Sequence, residues 1–181
     1  MKSKILIITA CAALSACAGS APKTALEVQN GFKCQTDEFS KTETCISAQI
    51  EDSSESLLHN DYLFMHFAKS GSRLFIQGSI STRAGALVRD TAVVKAEKAL
   101  DSNGKQFVME NAKKSETRIC MSGTCYMYAP FELVIDKKWL EQHKASGSAI
   151  KVYTDTGLSP VQNIPAHYIQ GFLDYLNSGA K

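Results

Sequence analysis

Apolar residues recur along this chain in short runs of β-strand length. Residues 62–67 are apolar or aromatic almost throughout, which is typical of a strand covered on both faces. Phe131, Leu133 and Ile135 fall at every second position, which predicts a half-buried strand. Similar runs predict further strands over residues 74–80, 91–100, 105–108, 117–120, 125–128, 150–154 and 161–164.

Turn residues between these runs predict antiparallel pairing. Lys69–Arg73 is a Gly- and Ser-containing turn between two of the strands, and Asp101-Ser-Asn-Gly104 is typical of a hairpin. The second turn favours a strand for residues 91–100, whose apolar spacing also fits a helix in part. Pro130 cannot donate a ladder hydrogen bond, so we expect an edge position or a bulge there.

Two helices are predicted near the C-terminus. Asp136 is a suitable N-cap for a helix over residues 137–145, with Gly147 at its end. Pro165 fits the first position of a second helix. The apolar stripe of that helix, which must cover another part of the protein, consists of Ile169, Phe172, Leu173 and Leu176, before a stop at Gly179. The pattern as a whole predicts a mainly β fold, an antiparallel β-sandwich with one or two C-terminal helices.

The N-terminus has the pattern of an export signal. Basic residues precede an apolar run over residues 5–14, and small residues follow it. The end of the run, Leu14-Ser15-Ala16-Cys17, resembles the lipobox of bacterial lipoproteins. The resemblance implies that residues 1–16 are a signal peptide, and that Cys17 is acylated on its sulfur and on the new N-terminus.

The N-terminal pattern has three other interpretations. A transmembrane helix needs about 20 apolar residues, more than this run contains. An ordinary cleavage site beside a free cysteine stays open as an alternative. Cys11 follows Ile8-Thr9-Ala10 and is a looser match to the lipobox, with a shorter apolar core before it.

The resemblance also predicts location. Lipoprotein acylation adds more than one chain, so we expect the protein to stay on a membrane until detergent extracts it. Ala18 stands where inner-membrane lipoproteins carry aspartate, which favours the outer membrane, facing the periplasm. Residues 17–30 are mostly small and polar and predict a tether of up to about 40 Å. Residues 31–181 then form a single β-rich periplasmic domain.

Charge and composition exclude some partners. Loss of the signal peptide leaves 18 basic residues, because Lys2 and Lys4 are removed from a total of 20, against 18 acidic ones. A net charge of zero without a basic run argues against nucleic acid as a partner. The 44% of hydrophobic residues is enough for a normal core.

Four cysteines remain in the predicted domain: Cys34, Cys45, Cys120 and Cys125. An even number in an exported chain indicates disulfides, and proximity favours Cys34–Cys45 and Cys120–Cys125. Each bond would close a short loop on a hairpin. A redox pair or a zinc site is the alternative, although the C-x10-C and C-x4-C spacings match neither.

Known catalytic motifs are absent from the sequence. It contains no phosphate-binding Gly-rich loop, H-E-x-x-H or G-x-S-x-G. Ser102 and Lys105 satisfy S-x-x-K but lie in the predicted turn. His66 lies in an apolar strand, where a packed side chain is expected, and His59 with Asp61 is an isolated pair. The sequence therefore predicts no catalytic residue, no cofactor and no metal site.

The second predicted hairpin offers a candidate binding surface: Met121, Tyr126, Met127 and Tyr128. The alternative is that some of these side chains belong to the core. Residues 117–176 also resemble the C-terminal half of uncharacterised exported bacterial proteins. We therefore expect a lipid-anchored envelope protein that is a non-enzymatic binding or structural module. The alternative is a periplasmic enzyme, either a hydrolase or a thiol-disulfide protein that uses Cys120 and Cys125.

Overall fold

A computed structural model describes residues 21–50, 61–84, 94–115, 117–121 and 124–179 of the chain. Within these ranges, only the backbone is described for residues 61, 62, 82–84, 117–121 and 124–126. The predicted signal peptide and the lipidation site at Cys17 lie outside the described residues, as does His59. The prediction that Cys17 is acylated therefore stays a prediction.

The described residues form ten strands in two antiparallel sheets. In chain order they are β1 (Lys33–Thr36), β2 (Glu43–Ile46), β3 (Asp61–Ser70), β4 (Arg73–Ala84), β5 (Ala96–Asp101), β6 (Val108–Glu110), β7 (Thr117–Met121), β8 (Thr124–Ile135), β9 (Ser148–Thr154) and β10 (Val161–Ile164). The larger sheet has the order β1-β2-β3-β4-β8-β6, with β7 also paired to β8. The smaller sheet has the order β10-β9-β5.

The long hairpin β3–β4 is the centre of the larger sheet. Its strands pair from Asp61↔Thr82 to Ser70↔Arg73, and Gly71 supplies the positive φ of 57° that the tight turn requires. Met65 and Phe67 are buried, whereas His66 between them is half-buried. At these positions burial alternates along the strand, whereas the sequence predicted a strand covered on both faces. The predicted strand–turn–strand unit is confirmed.

Pro130 lies opposite Ser79 of β4, between the parts of β8 that pair with β7 and with β6. The Pro130 carbonyl accepts a hydrogen bond from the Lys113 N–H, so the backbone polar atoms of this residue point away from β4. The missing N–H therefore faces the gap between the two partner strands. The prediction of an edge strand or a bulge is wrong, because β8 lies between β4 and β6 and its register with β4 is continuous through Pro130.

The chain crosses between the sheets after the turn at Asp101–Gly104. The turn is present, with Gly104 at a φ of 81°. The predicted returning strand at 105–108 is wrong in extent, because Gln106 forms only an isolated bridge to Leu100. Val108 already belongs to β6, which pairs with β8 of the larger sheet. The turn reverses the chain, but within a few residues the chain leaves the smaller sheet and pairs with β8 of the larger sheet.

The part of the chain that the structure describes also contains three helices: α1 (Ala25–Asn30), α2 (Lys137–His143) and α3 (Ala166–Asn177). Asp136 caps α2 as predicted, by accepting from the Trp139 N–H. Pro165 is the N-cap of α3 rather than its first helical residue. Within the ranges given above, no helix is long and apolar enough to span a bilayer.

Helix α1 corrects the prediction that residues 17–30 form a tether. A capping box between Thr24 and Glu27 starts this helix, and Val28 is fully buried. Its apolar residues, Ala25, Leu26 and Val28, fall within less than two helical turns, which is too short for a periodicity to be detected. Packing of Val28 against α3 adds to the capping box in stabilising so short a helix.

The predicted mainly β, antiparallel, disulfide-stapled fold with C-terminal helices is confirmed. One hydrophobic core is shared by both sheets and by α2 and α3. Helix α3 packs on the larger sheet through Phe172, whose ring stacks on Phe67 of β3 with centroids 4.9 Å apart. The apolar stripe predicted for α3 therefore covers the larger sheet, and strand β10 of the smaller sheet packs beside it against β3.

Candidate functional site

Hairpin β1–β2 projects from one edge of the larger sheet and is covalently closed. Cys34 and Cys45 are direct partners in the register, and the predicted disulfide joins them. All four residues of β1 are exposed, whereas Cys45 is fully buried. A short, exposed edge strand that begins with a lysine resists pairing with other chains.

The tip of this hairpin, residues 37–41, is an ordered turn. Oδ1 of Asp37 accepts hydrogen bonds of 2.8 Å from the backbone N–H groups of both Phe39 and Ser40. The Asp37 carbonyl accepts from the Lys41 N–H, and Lys41 adopts a positive φ of 55°. The N–H groups of Ser40 and Phe39 lower the pKa of Asp37, so this carboxylate remains charged near neutral pH.

Phe39 stands at the apex of this turn with 98% of its surface exposed. Its backbone is fixed by the Asp37 turn and by the disulfide at the base of the hairpin. A partner that buried this ring would therefore order little more than the side chain itself, which favours binding. The sequence held a weak signal for this residue, a single aromatic in an otherwise polar loop.

The base of the hairpin rests on α3. The Phe32 ring stacks on Tyr175 with centroids 4.0 Å apart, and the Tyr175 hydroxyl lies 3.2 Å from Sγ of Cys34. Burial, and then the nearby Glu43 carboxylate, raise the pKa of Tyr175, so the phenol stays protonated. These contacts anchor the projecting hairpin to the core.

One group of potential metal ligands occurs in the described ranges, at the same place. The ligand atoms of Cys34, Glu43 and Cys45 lie within 4.8 Å of one another. The disulfide consumes both sulfur ligands, so the oxidised protein offers a metal only the Glu43 carboxylate.

The second hairpin, β7–β8, is described by its backbone alone near the turn. Cys120 and Cys125 are direct partners in its register, while their side chains lie outside the described residues. The predicted bond between them therefore stays a prediction, because only the two strands are fixed in position.

The predicted binding surface on β7–β8 loses one member. Met127 is buried, because at this position the strand turns its side chain into the core. Tyr128 is half-buried, and the side chains of Met121 and Tyr126 lie outside the described residues. The alternative that some of these residues belong to the core holds for Met127.

A buried polar cluster that the sequence did not predict links β5 to α2. Oδ2 of Asp101 accepts from the Trp139 indole N–H at 2.9 Å, and Oδ1 accepts from the N–H groups of Asn103 and Lys105. His143 Nδ1 lies 2.8 Å from the Trp139 carbonyl, which only accepts, so Nδ1 carries the proton. His143 Nε2 is left to accept from the Asn103 amide at 3.0 Å.

The electrostatics of this cluster favour an ionised carboxylate. Burial alone would raise the pKa of Asp101. Hydrogen bonds from the Trp139 indole and from the N–H groups of Lys105 and Asn103 bring that pKa below its ordinary value. Asp101, Trp139 and His143 are all buried, so the cluster holds a turn against a helix and presents no group to a substrate.

His66 and the Ser102–Lys105 pair, two further candidates for catalysis, have structural contacts. Nδ1 of His66 lies 3.2 Å from the Ser47 carbonyl, as expected for a packed histidine. Ser102 and Lys105 lie around the turn, and the Lys105 ammonium pairs with Asp136 instead of Ser102. The side chain of Asp61 lies outside the described residues.

No protein-family model, curated protein or solved structure matches this chain.

Proposed function

We propose that this protein is an acylated envelope lipoprotein whose periplasmic domain binds another envelope protein and catalyses no reaction. The pattern Leu14-Ser15-Ala16-Cys17 supports the anchor, together with the basic and apolar residues before it. The Cys34–Cys45 disulfide supports export, because such bonds persist in oxidising compartments.

The observation that carries the binding proposal is Phe39, an aromatic ring exposed over 98% of its surface on a covalently closed hairpin. Rigid aromatic anchors of this kind dominate the affinity of protein interfaces. Asp37 and Glu38 precede the ring, so the complementary surface is an apolar pocket of phenyl size with cationic groups at its border.

An enzymatic role has less support. The described cluster that combines Asp and His, around Asp101 and His143, is buried and internally hydrogen-bonded. A thiol-disulfide role for Cys120 and Cys125 makes a distinct prediction, since a redox pair cycles in the cell. Alkylation of free thiols in intact cells, followed by mass spectrometry, should find both cysteines oxidised if they form a structural bond.

The anchor is tested by Cys17→Ser. We expect the wild-type protein to sediment with membranes and to incorporate an alkyne-labelled fatty acid in cells. The variant should lose the label and enter the soluble periplasmic fraction. A variant that stays on the membrane and is processed as before would contradict acylation at this residue.

The partner is tested by a photoreactive phenylalanine analogue at position 39 in intact cells. The matched control carries the analogue at Val108, which is 64% exposed on β6 at the opposite edge of the sheet. We expect a discrete protein adduct from position 39 only. Excess purified wild-type protein should suppress this adduct in isolated envelopes, whereas the Phe39→Ala protein should not. Adducts of equal pattern at both positions, or with lipid alone, would exclude the hairpin as a binding site.

A further inference from the structure

The N-terminal segment of the described chain is fixed to the domain from Pro22 onward. Nε2 of His167 donates to the Pro22 carbonyl at 3.0 Å, at the start of α3. Oε2 of Glu27 accepts from the Lys23 N–H at 2.6 Å and from the Thr24 N–H at 3.2 Å. These bonds order the chain before the first helical turn of α1.

Helix α1 packs closely on α3 at a glycine. A Cβ added to Gly171 would lie 2.5 Å from the Ala25 carbonyl oxygen and 2.6 Å from Cβ of Val28, so only glycine permits this approach. Val28 is fully buried in the contact. Helix α1 is therefore part of the domain and moves with it.

This packing shortens the tether to the four residues between Cys17 and Pro22, which make five Cα–Cα steps. Five steps span at most about 18 Å when extended, and a random coil of that length spans about 12 Å on average. A domain of this length has a radius of gyration of about 15 Å and thus a diameter of roughly 40 Å. Because the tether is shorter than the domain is wide, only the side that carries Pro22 can reach the acylated residue.

That side presents an uncovered apolar side chain. Leu26 is 62% exposed, and it lies two residues before Val28, on the opposite side of the helix. The other large hydrophobic residues exposed in the described ranges belong to different regions, namely Phe39 in the hairpin tip, Val108 in β6 and Val161 in β10.

We propose that α1 lies on the lipid leaflet that holds the Cys17 acyl chains, with Leu26 inserted among the lipid head groups. This inference rests on the proposed acylation of Cys17 and adds an orientation to it. The short tether holds α1 at the leaflet surface, and burial of Leu26 there removes apolar area from water. The α1–α3 side is then the membrane-facing side of the protein.

The orientation is tested with tryptophan as a depth probe, because the single native tryptophan, Trp139, is fully buried. The acylated Leu26→Trp protein is placed in phosphatidylcholine vesicles with a minority of phosphatidylglycerol and head-group nitroxide lipids. Acylated Val108→Trp is the matched control, and the emission of the parent protein is subtracted from both. We expect several-fold stronger quenching at position 26 than at position 108.

A second variant tests the role of tether length. A flexible Gly-Ser segment of about twenty residues inserted after Ser20 raises the fully extended length of the tether to about 85 Å, well above the diameter of the domain. Quenching at position 26 should then fall toward the value at position 108. Unchanged quenching would show that tether length does not impose the orientation and would overturn the argument made from it.

The failures of the two proposals are distinguishable. Equal quenching at positions 26 and 108 in protein that is acylated and bound to vesicles refutes the orientation and leaves the anchor intact. Recovery of unacylated protein from cells removes both the anchor and the orientation. In that case the Cys17→Ser fractionation already reports the failure.

Discussion

Two turns of this protein are shaped by the same kind of aspartate hydrogen bonds, but one aspartate is exposed and the other is buried. In each, Oδ1 of an aspartate accepts hydrogen bonds from backbone N–H groups two to four residues later, at Asp37 and at Asp101. At the first turn Asp37 is exposed, and a disulfide joins the two strands of the hairpin. At the second turn residues 102–105 are exposed too, but the Asp101 side chain is buried against the Trp139 indole of α2.

The aspartate and its surroundings contribute differently to the two turns. The aspartate determines the shape of both turns, since its carboxylate replaces a backbone acceptor. Its surroundings determine the energy, because water can replace the hydrogen bonds lost at Asp37 but not the buried one between Asp101 and the Trp139 indole. The Asp37 turn is therefore available to present Phe39, whereas the Asp101 carboxylate contributes to stability.

The sharpest test of this comparison pairs Asp101→Ala with Asp37→Ala. The first variant leaves the buried Trp139 indole N–H without an acceptor, so we expect a loss of about 3 kcal/mol in the free energy of unfolding. The second should cost much less, because water solvates the freed groups. Urea unfolding measures both, and equal losses would refute the role assigned to burial.

The disulfide is tested by the double variant Cys34→Ala with Cys45→Ala. The bond closes a loop with a sequence separation of 11 residues. Its removal should lower the free energy of unfolding by about 3 kcal/mol, mainly because the unfolded chain gains entropy. We also expect amide exchange in hairpin β1–β2 to accelerate more than in the Asp101 turn. Equal acceleration in both turns would show that the staple acts on the whole fold.

The pH dependence of stability separates the two carboxylates further. The folded pKa of Asp101 lies below its unfolded value of about 3.9, so its stabilisation is complete above that value and is lost as pH falls through the folded pKa. Asp101→Asn should therefore flatten the loss of stability at acid pH. Asp37→Asn should leave most of it, since that group is exposed. An unchanged acid profile in Asp101→Asn would contradict the assignment.

The smallest effect on stability is expected for Phe39→Ala. A ring exposed over 98% of its surface makes no packing contact, so the free energy of unfolding should change by less than about 0.5 kcal/mol. Loss of the cellular adduct in this stable variant would identify a binding residue. A loss of stability above 1 kcal/mol would show instead that the ring packs against the domain.

Much of the fold was predictable because its signals are local. Strand periodicity identified hairpin β3–β4, the Asp136 cap identified α2, and the close spacing of Cys34 and Cys45 identified their bond. The candidate site was predicted less well. Met127 belongs to the core. The sequence did not indicate Phe39 as a binding residue, because the residue type alone does not show whether a side chain is exposed.

The sequence by itself determined most of the strand pattern, the N-cap of α2 and the likeness of its N-terminus to a lipobox, because each depends on neighbouring residues. Only the tertiary structure decided that α1 joins the domain, since Val28 and Gly171 meet from distant parts of the chain. It also brought Asp101 to Trp139 and left Phe39 uncovered. These outcomes depend on packing between elements, and packing is a property of the whole chain.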